Sequence, residues 1–136
     1  MRRSTSHDMD AALLDAARAA RRRAYAPYSG FRVGAAVRAI GEVHAGCNVE
    51  NASYGLTVCA ERNAIGAAAL AGGRRVEAIA VASGTTPPTP PCGACLQVLA
   101  EFAGPDTPVL LAGKGRAVVR TTLGELLPHA FGRGYL

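Results

Sequence analysis

Three cysteines and one glutamate occur in two short motifs whose residue types and spacing suit metal-dependent chemistry. The motif CAER contains Cys59 and Glu61, and the motif PCGAC contains Cys92 and Cys95. Each motif opens a predicted helix, where free N–H groups and the macrodipole favour thiolate, the form of cysteine that binds metal. Two such helix starts that face each other would place three thiolates around one cation.

A zinc ion held by three protein ligands keeps one tetrahedral position open for water, which is the arrangement of a catalytic site. The metal lowers the pKa of that water to about 7, so that hydroxide is available at neutral pH. Glu61 is predicted to lie beside the metal without binding it and to move protons between the water and the substrate. Arg62 is predicted to hydrogen-bond the sulfurs and offset the net negative charge of a three-thiolate centre. A Cys₃ site with a non-ligating glutamate is the arrangement described for zinc-dependent nucleobase deaminases.

Two other interpretations of the cysteines remain open at this point. A closed structural zinc site would recruit Cys47 as a fourth ligand and leave Glu61 as an ordinary carboxylate on a helix face. A redox pair formed by Cys92 and Cys95 would leave Cys59 and Glu61 without a role. The histidines fall in no metal-ligand spacing and are expected on the surface or in loops; they are His7, His44 and His129.

The scaffold that positions these motifs is predicted from hydrophobic pattern and turn residues. The predicted helices span 9–24, 57–71 and 93–102, with a short helical turn at 123–127. The predicted strands span 31–40, 43–49, 78–82, 109–112 and 116–120, and a tight turn at 41–42 joins the first two.

This order of elements predicts an α/β fold of three layers, α-β-α, in which a mixed five-stranded sheet carries helices on both faces. The strand after the third helix is expected to run parallel to the strand before that helix. With 136 residues, the chain is expected to form one domain over 1–136, in which 1–8 are a flexible tail.

Composition argues against two other classes of protein. The net charge is +5, but the basic residues are dispersed, and the densest run, 21–23, is expected to be a solvated helix face rather than a nucleic-acid-binding surface. We find no signal peptide and no apolar run long enough to span a membrane. The chain is therefore expected to be cytoplasmic, where thiols stay reduced and clustered cysteines indicate metal binding or catalysis.

Five segments in the same order resemble the small homotetrameric, zinc-dependent cytidine deaminases. They are YAPYSGFRVGAA at 25–36, GCNVEN at 46–51, CAER, PCGAC and ELLP at 125–128, and the resemblance extends from Tyr25 to Phe131. It implies a cytidine deaminase-like fold and a hydrolase acting on the C–N bond of a cyclic amidine. The implied reaction converts free cytidine and 2′-deoxycytidine to uridine and 2′-deoxyuridine with release of ammonia, in pyrimidine salvage.

The resemblance also implies a role for individual residues. Glu61 would be the catalytic residue, and one zinc per subunit would be held by Cys59, Cys92 and Cys95. The active sites of a homotetramer would be completed by neighbouring subunits. The substrate-binding residues would be Phe31 on the pyrimidine ring, Asn48 and Glu50 on the ribose, the backbone of Ala60 on the base, and Ala52, Tyr54 and Phe131 between subunits.

One departure and two rival functions bear on this expectation. The family commonly has Arg directly after the last zinc cysteine, where this chain has Leu96. Deamination of another small aminopyrimidine, of the blasticidin S type, is the first alternative, and the pair Asn48 and Glu50 argues against it. A zinc-stabilised nucleic-acid-binding module is the second, and the chain lacks the aromatic stripe or concentrated basic patch that such a module needs.

Overall fold

The computed structural model describes residues 5–136, which form four helices and five strands. The helices are α1 (Ser6–Arg21), α2 (Ala60–Leu70), α3 (Gly93–Phe102) and the short α4 (Leu123–Leu126). The strands are β1 (Gly34–Ala39), β2 (Glu42–Cys47), β3 (Ala78–Ala82), β4 (Pro108–Ala112) and β5 (Val118–Thr122). Single 3₁₀ turns occur at Tyr54–Leu56 and Arg133–Tyr135. No helix within 5–136 combines the length and the apolar character needed to cross a membrane.

The five strands form one mixed sheet in the order β2-β1-β3-β4-β5. The pair β3–β4 is parallel, and the other three pairs are antiparallel. The predicted mixed sheet is therefore confirmed, and so is the parallel strand that follows α3. This crossover matters for the site, because it places the start of α3 beside the carboxyl end of β3.

Helix α1 begins earlier than the sequence pattern predicts. Thr5 is its N-cap, and the Thr5 hydroxyl accepts from the backbone N–H of Asp8 at 3.1 Å while the Asp8 carboxylate accepts from the Thr5 N–H at 3.2 Å. This capping box starts the helix at Ser6, inside the segment predicted as a flexible tail. Residues 1–4 of that predicted tail lie outside the described residues.

The hairpin between β1 and β2 turns at Ile40 and Gly41, one residue earlier than predicted. Both residues have positive φ, 50° and 70°, as a two-residue type I′ hairpin turn requires. The sequence pattern assigned Ile40 to a strand because β-branched residues seldom adopt such a φ. Strand β1 also starts three residues later than predicted, since Phe31 and Val33 bond to the side chain of Asn48 instead of the sheet.

The two faces of the sheet carry different side chains. In β3, Ile79 and Val81 face α2 and α3, whereas Ala78, Ala80 and Ala82 face α1. The predicted three layers, with helices on both faces, are therefore confirmed.

Glycine lets α1 and α2 approach the sheet closely. A Cβ added at Gly34 would collide with the backbone of Ala17 and Arg21 in α1, and one at Gly46 would collide with the backbone of α2, lying 2.8 Å from the Ala60 carbonyl oxygen. The position of α2 on the sheet, and with it the position of its first turn, therefore depends on Gly46.

Candidate active site

Three cysteine sulfurs meet where α2 and α3 begin. Cys59 is the N-cap residue of α2, Cys92 is the N-cap residue of α3, and Cys95 lies in the first turn of α3. Both caps have extended backbone and neither makes a side-chain capping hydrogen bond, so the sulfurs are free to turn toward each other. All three Sγ atoms lie within 4.8 Å of one another, and the Sγ atoms of Cys92 and Cys95 are 3.4 Å apart.

The donor set fits a zinc ion. Three thiolates at about 2.3 Å from a tetrahedral zinc would stand about 3.8 Å from each other, close to the spacing found here. Burial raises the pKa of the Cys95 thiol, and the neighbouring charges of Glu61 and Cys59 raise it further. A cation among these acidic groups would remove that repulsion, so the cluster of acidic groups favours a bound metal ion.

The remaining candidate ligands lie elsewhere. Cys47, the fourth ligand of the closed-site alternative, ends β2, and its thiol donates to the Arg23 carbonyl oxygen at 3.5 Å. The His44 ring contacts the Ala39 carbonyl oxygen at 3.3 Å. Within residues 5–136, the group of side chains placed to hold a metal therefore contributes three ligands, which leaves a tetrahedral position open.

Glu61 is buried beside the sulfurs in the first turn of α2, with only 6% of its surface exposed. Burial raises the pKa of its carboxyl, and this outweighs the opposing effects of a backbone hydrogen bond, the Cys95 thiol and the Arg62 charge. A carboxyl that holds its proton to higher pH than usual is suited to exchanging protons near neutrality.

The guanidinium of Arg62 lies against the sulfur cluster. Its Nη2 donates to Cys59 Sγ at 3.5 Å and to the Thr57 carbonyl oxygen at 3.4 Å. The bond to Cys59 is the main reason why the pKa of Arg62 is raised. Leu96 is packed in the core between the sheet and the helices. The cation expected from the family after the last cysteine is thus replaced by a core leucine, and Arg62 supplies positive charge from α2.

A cavity of about 240 Å³ opens in front of the cluster. Its lining includes seven residues that the sequence singled out: Phe31, Asn48, Glu50, Cys59, Ala60, Glu61 and Cys92. The sequence reasoning missed five others: Val33, Thr57, Val81, Thr89 and Pro90. Thr89 and Pro90 stand directly before the PCGAC motif, so their closeness in sequence to Cys92 was the available signal.

Asn48 and Glu50 shape one wall of this cavity. Asn48 Nδ2 donates to the Phe31 carbonyl oxygen at 2.7 Å, and Oδ1 accepts from the Val33 N–H at 2.9 Å. The Glu50 carboxylate accepts from the N–H groups of Tyr28 and Ser29 and from the Ser29 hydroxyl. The Ser29 hydroxyl bond, followed by these backbone bonds, lowers the pKa of Glu50 despite partial desolvation.

The residues predicted to act between subunits lie outside the cavity lining. Tyr54 is 74% exposed and packs its ring against Tyr28 with centroids 5.9 Å apart. Ala52 is exposed in the same loop. Phe131 is 59% exposed, stacks on Tyr135, and is fixed to α3 by a 2.8 Å bond from Gln97 to its carbonyl oxygen.

Comparison with known proteins gives a consistent result. Residues 7–111 match the family model described as the cytidine and deoxycytidylate deaminase zinc-binding region. The cytidine deaminase of Halalkalibacterium halodurans is 53% identical over 113 residues, which cover 82% of this chain and 86% of that protein. The cytidine deaminase of Sporosarcina psychrophila is 45% identical over 122 residues, covering 89% of this chain and 90% of that protein.

Solved structures show the same likeness. The crystal structure of cytidine deaminase from Burkholderia pseudomallei superposes with a TM-score of 0.86 and 51% identity, covering 94% of this chain and 100% of that one. The structure of cytidine deaminase from Mycobacterium tuberculosis superposes with a TM-score of 0.77 and 42% identity, covering 95% and 99%. Motifs, fold and site geometry agree with these matches, and the chain belongs to the zinc-binding cytidine and deoxycytidylate deaminase family.

Proposed function

We propose that the chain hydrolyses free cytidine and 2′-deoxycytidine to uridine and 2′-deoxyuridine with release of ammonia, a reaction of pyrimidine salvage. The observation that carries this proposal is a cluster of three sulfurs, two of which line one cavity together with the buried Glu61 and with Asn48 and Glu50. The relatives named cytidine deaminase support the choice of substrate.

The chemistry divides between the metal and one side chain. Cys59, Cys92 and Cys95 would hold zinc, which when bound supplies an activated water as the nucleophile toward C4 of the cytosine ring. Glu61 accepts the proton of that water and donates it to N3, then carries the second proton to the departing amine. Its raised pKa suits these transfers, because the carboxyl must both take and give a proton at neutral pH.

Substrate recognition is assigned to four other residues of the cavity lining. Phe31 packs on the pyrimidine ring, the backbone of Ala60 contacts the base, and Asn48 and Glu50 bind the ribose hydroxyls. Each of these residues lines the cavity. Both polar side chains keep unused hydrogen-bonding capacity after their bonds to the 28–33 segment, since a carboxylate offers about four acceptor sites and an amide two donors.

The exposed aromatic residues support a homotetramer in which neighbouring subunits complete each site. Ala52 and Tyr54 reach toward one neighbour, and Phe131 enters the pocket of another. Tyr54 and Phe131 are both more than half exposed in the single chain, and each packs against a second exposed ring, Tyr28 or Tyr135. Each pair forms an apolar patch of the kind that a neighbouring subunit would cover.

The decisive experiment is turnover measured by ultraviolet absorbance, with zinc content determined on the same preparation. Cytidine, deoxycytidine, adenosine, blasticidin S and a cytosine-containing oligonucleotide are compared. We expect turnover of the first two, and about one zinc per chain. Turnover of blasticidin S without cytidine would replace the proposed substrate, and turnover of the oligonucleotide alone would replace the substrate class.

A further inference from the structure

A network of three hydroxyl groups organises the loop between β3 and α3. The Thr85 Oγ1 lies 3.0 Å from the Ser83 Oγ and 2.7 Å from the Thr89 Oγ1, and it donates to the Pro87 carbonyl oxygen at 2.8 Å. The backbone N–H of Thr89 donates to the Ser83 Oγ at 3.3 Å. The loop is thereby folded back on itself, with Thr85 at the centre.

Counting donors leaves one consistent arrangement of protons. A hydroxyl has one donor and two acceptor sites. Because Thr85 donates to Pro87, its two acceptor sites receive the hydroxyls of Ser83 and Thr89. Ser83 then accepts from the Thr89 backbone. Thr85 is saturated, and removal of its oxygen would break three contacts at once.

The network is fixed to the sheet at one end and reaches the cavity at the other. Ser83 is buried directly after β3, and its N–H donates to the Ala112 carbonyl oxygen at 2.9 Å. The Thr85 carbonyl oxygen accepts from the Lys114 N–H at 2.9 Å. At the other end, Thr89 and Pro90 line the cavity in front of the sulfurs.

We propose that Thr85 is a positioning residue that holds the Thr89–Pro90 wall against the nucleoside and so sets substrate affinity. This inference rests on the proposed function. The Thr89 hydroxyl donor is engaged inside the loop, so this wall presents the substrate with no hydroxyl donor from Thr89. The wall acts through shape, and its position depends on Thr85, because the hydroxyl contacts that fold the loop meet at the Thr85 Oγ1.

The test compares three variants. Thr85→Val has nearly the same shape but lacks the hydroxyl, and Thr85→Ser keeps it. Thr86→Val is the matched control, since Thr86 is exposed and its hydroxyl takes no part in the network of Ser83, Thr85 and Thr89. KM and kcat for cytidine, the calorimetric Kd for uridine, zinc content and Tm are measured for each. Ser83→Ala serves as a second test of the same network.

We expect Thr85→Val and Ser83→Ala to raise KM and the uridine Kd together by about tenfold, the change that loss of roughly one to two net hydrogen bonds brings. The kcat and zinc content should stay near those of the parent, and Thr85→Ser and Thr86→Val should bind like the parent. Unchanged uridine binding in Thr85→Val overturns the proposal. Loss of zinc with unchanged affinity for uridine also overturns it, because the network would then position Cys92 for zinc binding instead of the cavity wall. A parent chain that neither turns over cytidine nor binds uridine would instead overturn the proposed function.

Discussion

The side-chain amide of Asn48 donates to the carbonyl oxygen of Phe31 at 2.7 Å, and this bond fixes the backbone that carries the cavity-lining aromatic ring. Asn48 is itself buried, and its Oδ1 accepts from the Val33 N–H. One residue assigned to the ribose thus also orders the backbone that carries the residue assigned to the base. A substitution of Asn48 should therefore weaken the binding of both the base and the ribose.

Asn48→Asp is expected to raise KM for cytidine by at least about tenfold, because it replaces the donor to Phe31 with an acceptor and leaves two oxygens facing each other. Zinc content should not change, since the side-chain hydrogen bonds of Asn48 go to the backbone of Phe31 and Val33 and Asn48 is not among the three metal-site residues. Steady-state kinetics and metal analysis check this result. Asn51→Asp is the control, because the bond from the Ser53 N–H to its side-chain oxygen survives the change. An unaltered KM in Asn48→Asp would contradict the dual role.

Binding of uridine is expected to weaken in acid as Glu50 takes up a proton. The Ser29 hydroxyl bond lowers the pKa of Glu50. The ionised Glu50 carboxylate therefore orders residues 28–31 fully above the usual glutamate pKa, near pH 4.3, and this order is lost as the pH falls through the lowered pKa. Ser29→Ala should shift this acid limit to higher pH, and Ser29→Thr should restore it. The shift is measured from calorimetric Kd values for uridine between pH 3.5 and pH 7, taken at steps of about half a pH unit. Coincident profiles for Ser29→Ala and the parent would rule it out.

Glu61→Gln should lower kcat for cytidine by about 10²- to 10⁴-fold, because an amide of the same shape cannot carry protons. Zinc should remain near one per chain, since Glu61 is not among the three metal-site residues. Glu42→Gln, at an exposed position in β2, is the control and should keep full activity. Retention of parental kcat in Glu61→Gln would remove Glu61 from the mechanism.

Arg62→Gln is expected to weaken zinc binding by about 10- to 100-fold, because it removes the positive charge and the donor at Cys59 Sγ. Arg62→Lys should recover part of this affinity through charge alone. Competition with a chromophoric chelator measures the affinity without any assay of turnover. If all three proteins bind zinc equally, the thiolate charge is balanced by another group.

Gly46→Ala should destabilise the fold by about 1–3 kcal/mol or more, because the new methyl group meets backbone atoms of α2 that cannot rotate away. Gly66→Ala is the matched change within α2, where a Cβ meets nothing within 4 Å, and it should stabilise by roughly 0.5–1 kcal/mol. Urea denaturation of both proteins gives the comparison. Similar free energies of unfolding for the two variants would show that α2 is free to move away from β2.

The metal-site residues could be predicted from sequence because local signals determine them. Cys59, Cys92 and Cys95 stand at helix starts, and a CxxC run at a helix start places both sulfurs on one side whatever the surrounding fold. The sheet could also be predicted from the sequence, since β3 and its neighbours have short apolar runs bounded by glycine and proline. The exact bounds of β3 and α3 agree with the prediction for the same reason.

Tertiary contacts explain what the sequence pattern missed. Phe31 and Val33 read as strand residues, but Asn48, fifteen or more positions away, takes their hydrogen bonds. Thr89 has no periodic neighbours that would mark it as a cavity residue, and its place follows from hydroxyl contacts with Ser83 and Thr85. Such pairings depend on the folded loop and leave no trace in hydrophobic periodicity.

The alanine-lined face of the sheet limits how the protein can be engineered. Beneath α1 the strands present mostly alanine, and the large side chains of that layer are the buried Leu13, Leu14 and Leu110. A larger residue at Ala36, Ala80 or Ala112 therefore meets a filled layer and forces the helix outward. The opposite face, with isoleucine, valine and leucine, can exchange volume between partners. Directed evolution of this chain should therefore find its tolerated core substitutions on the side of the sheet that carries the pocket.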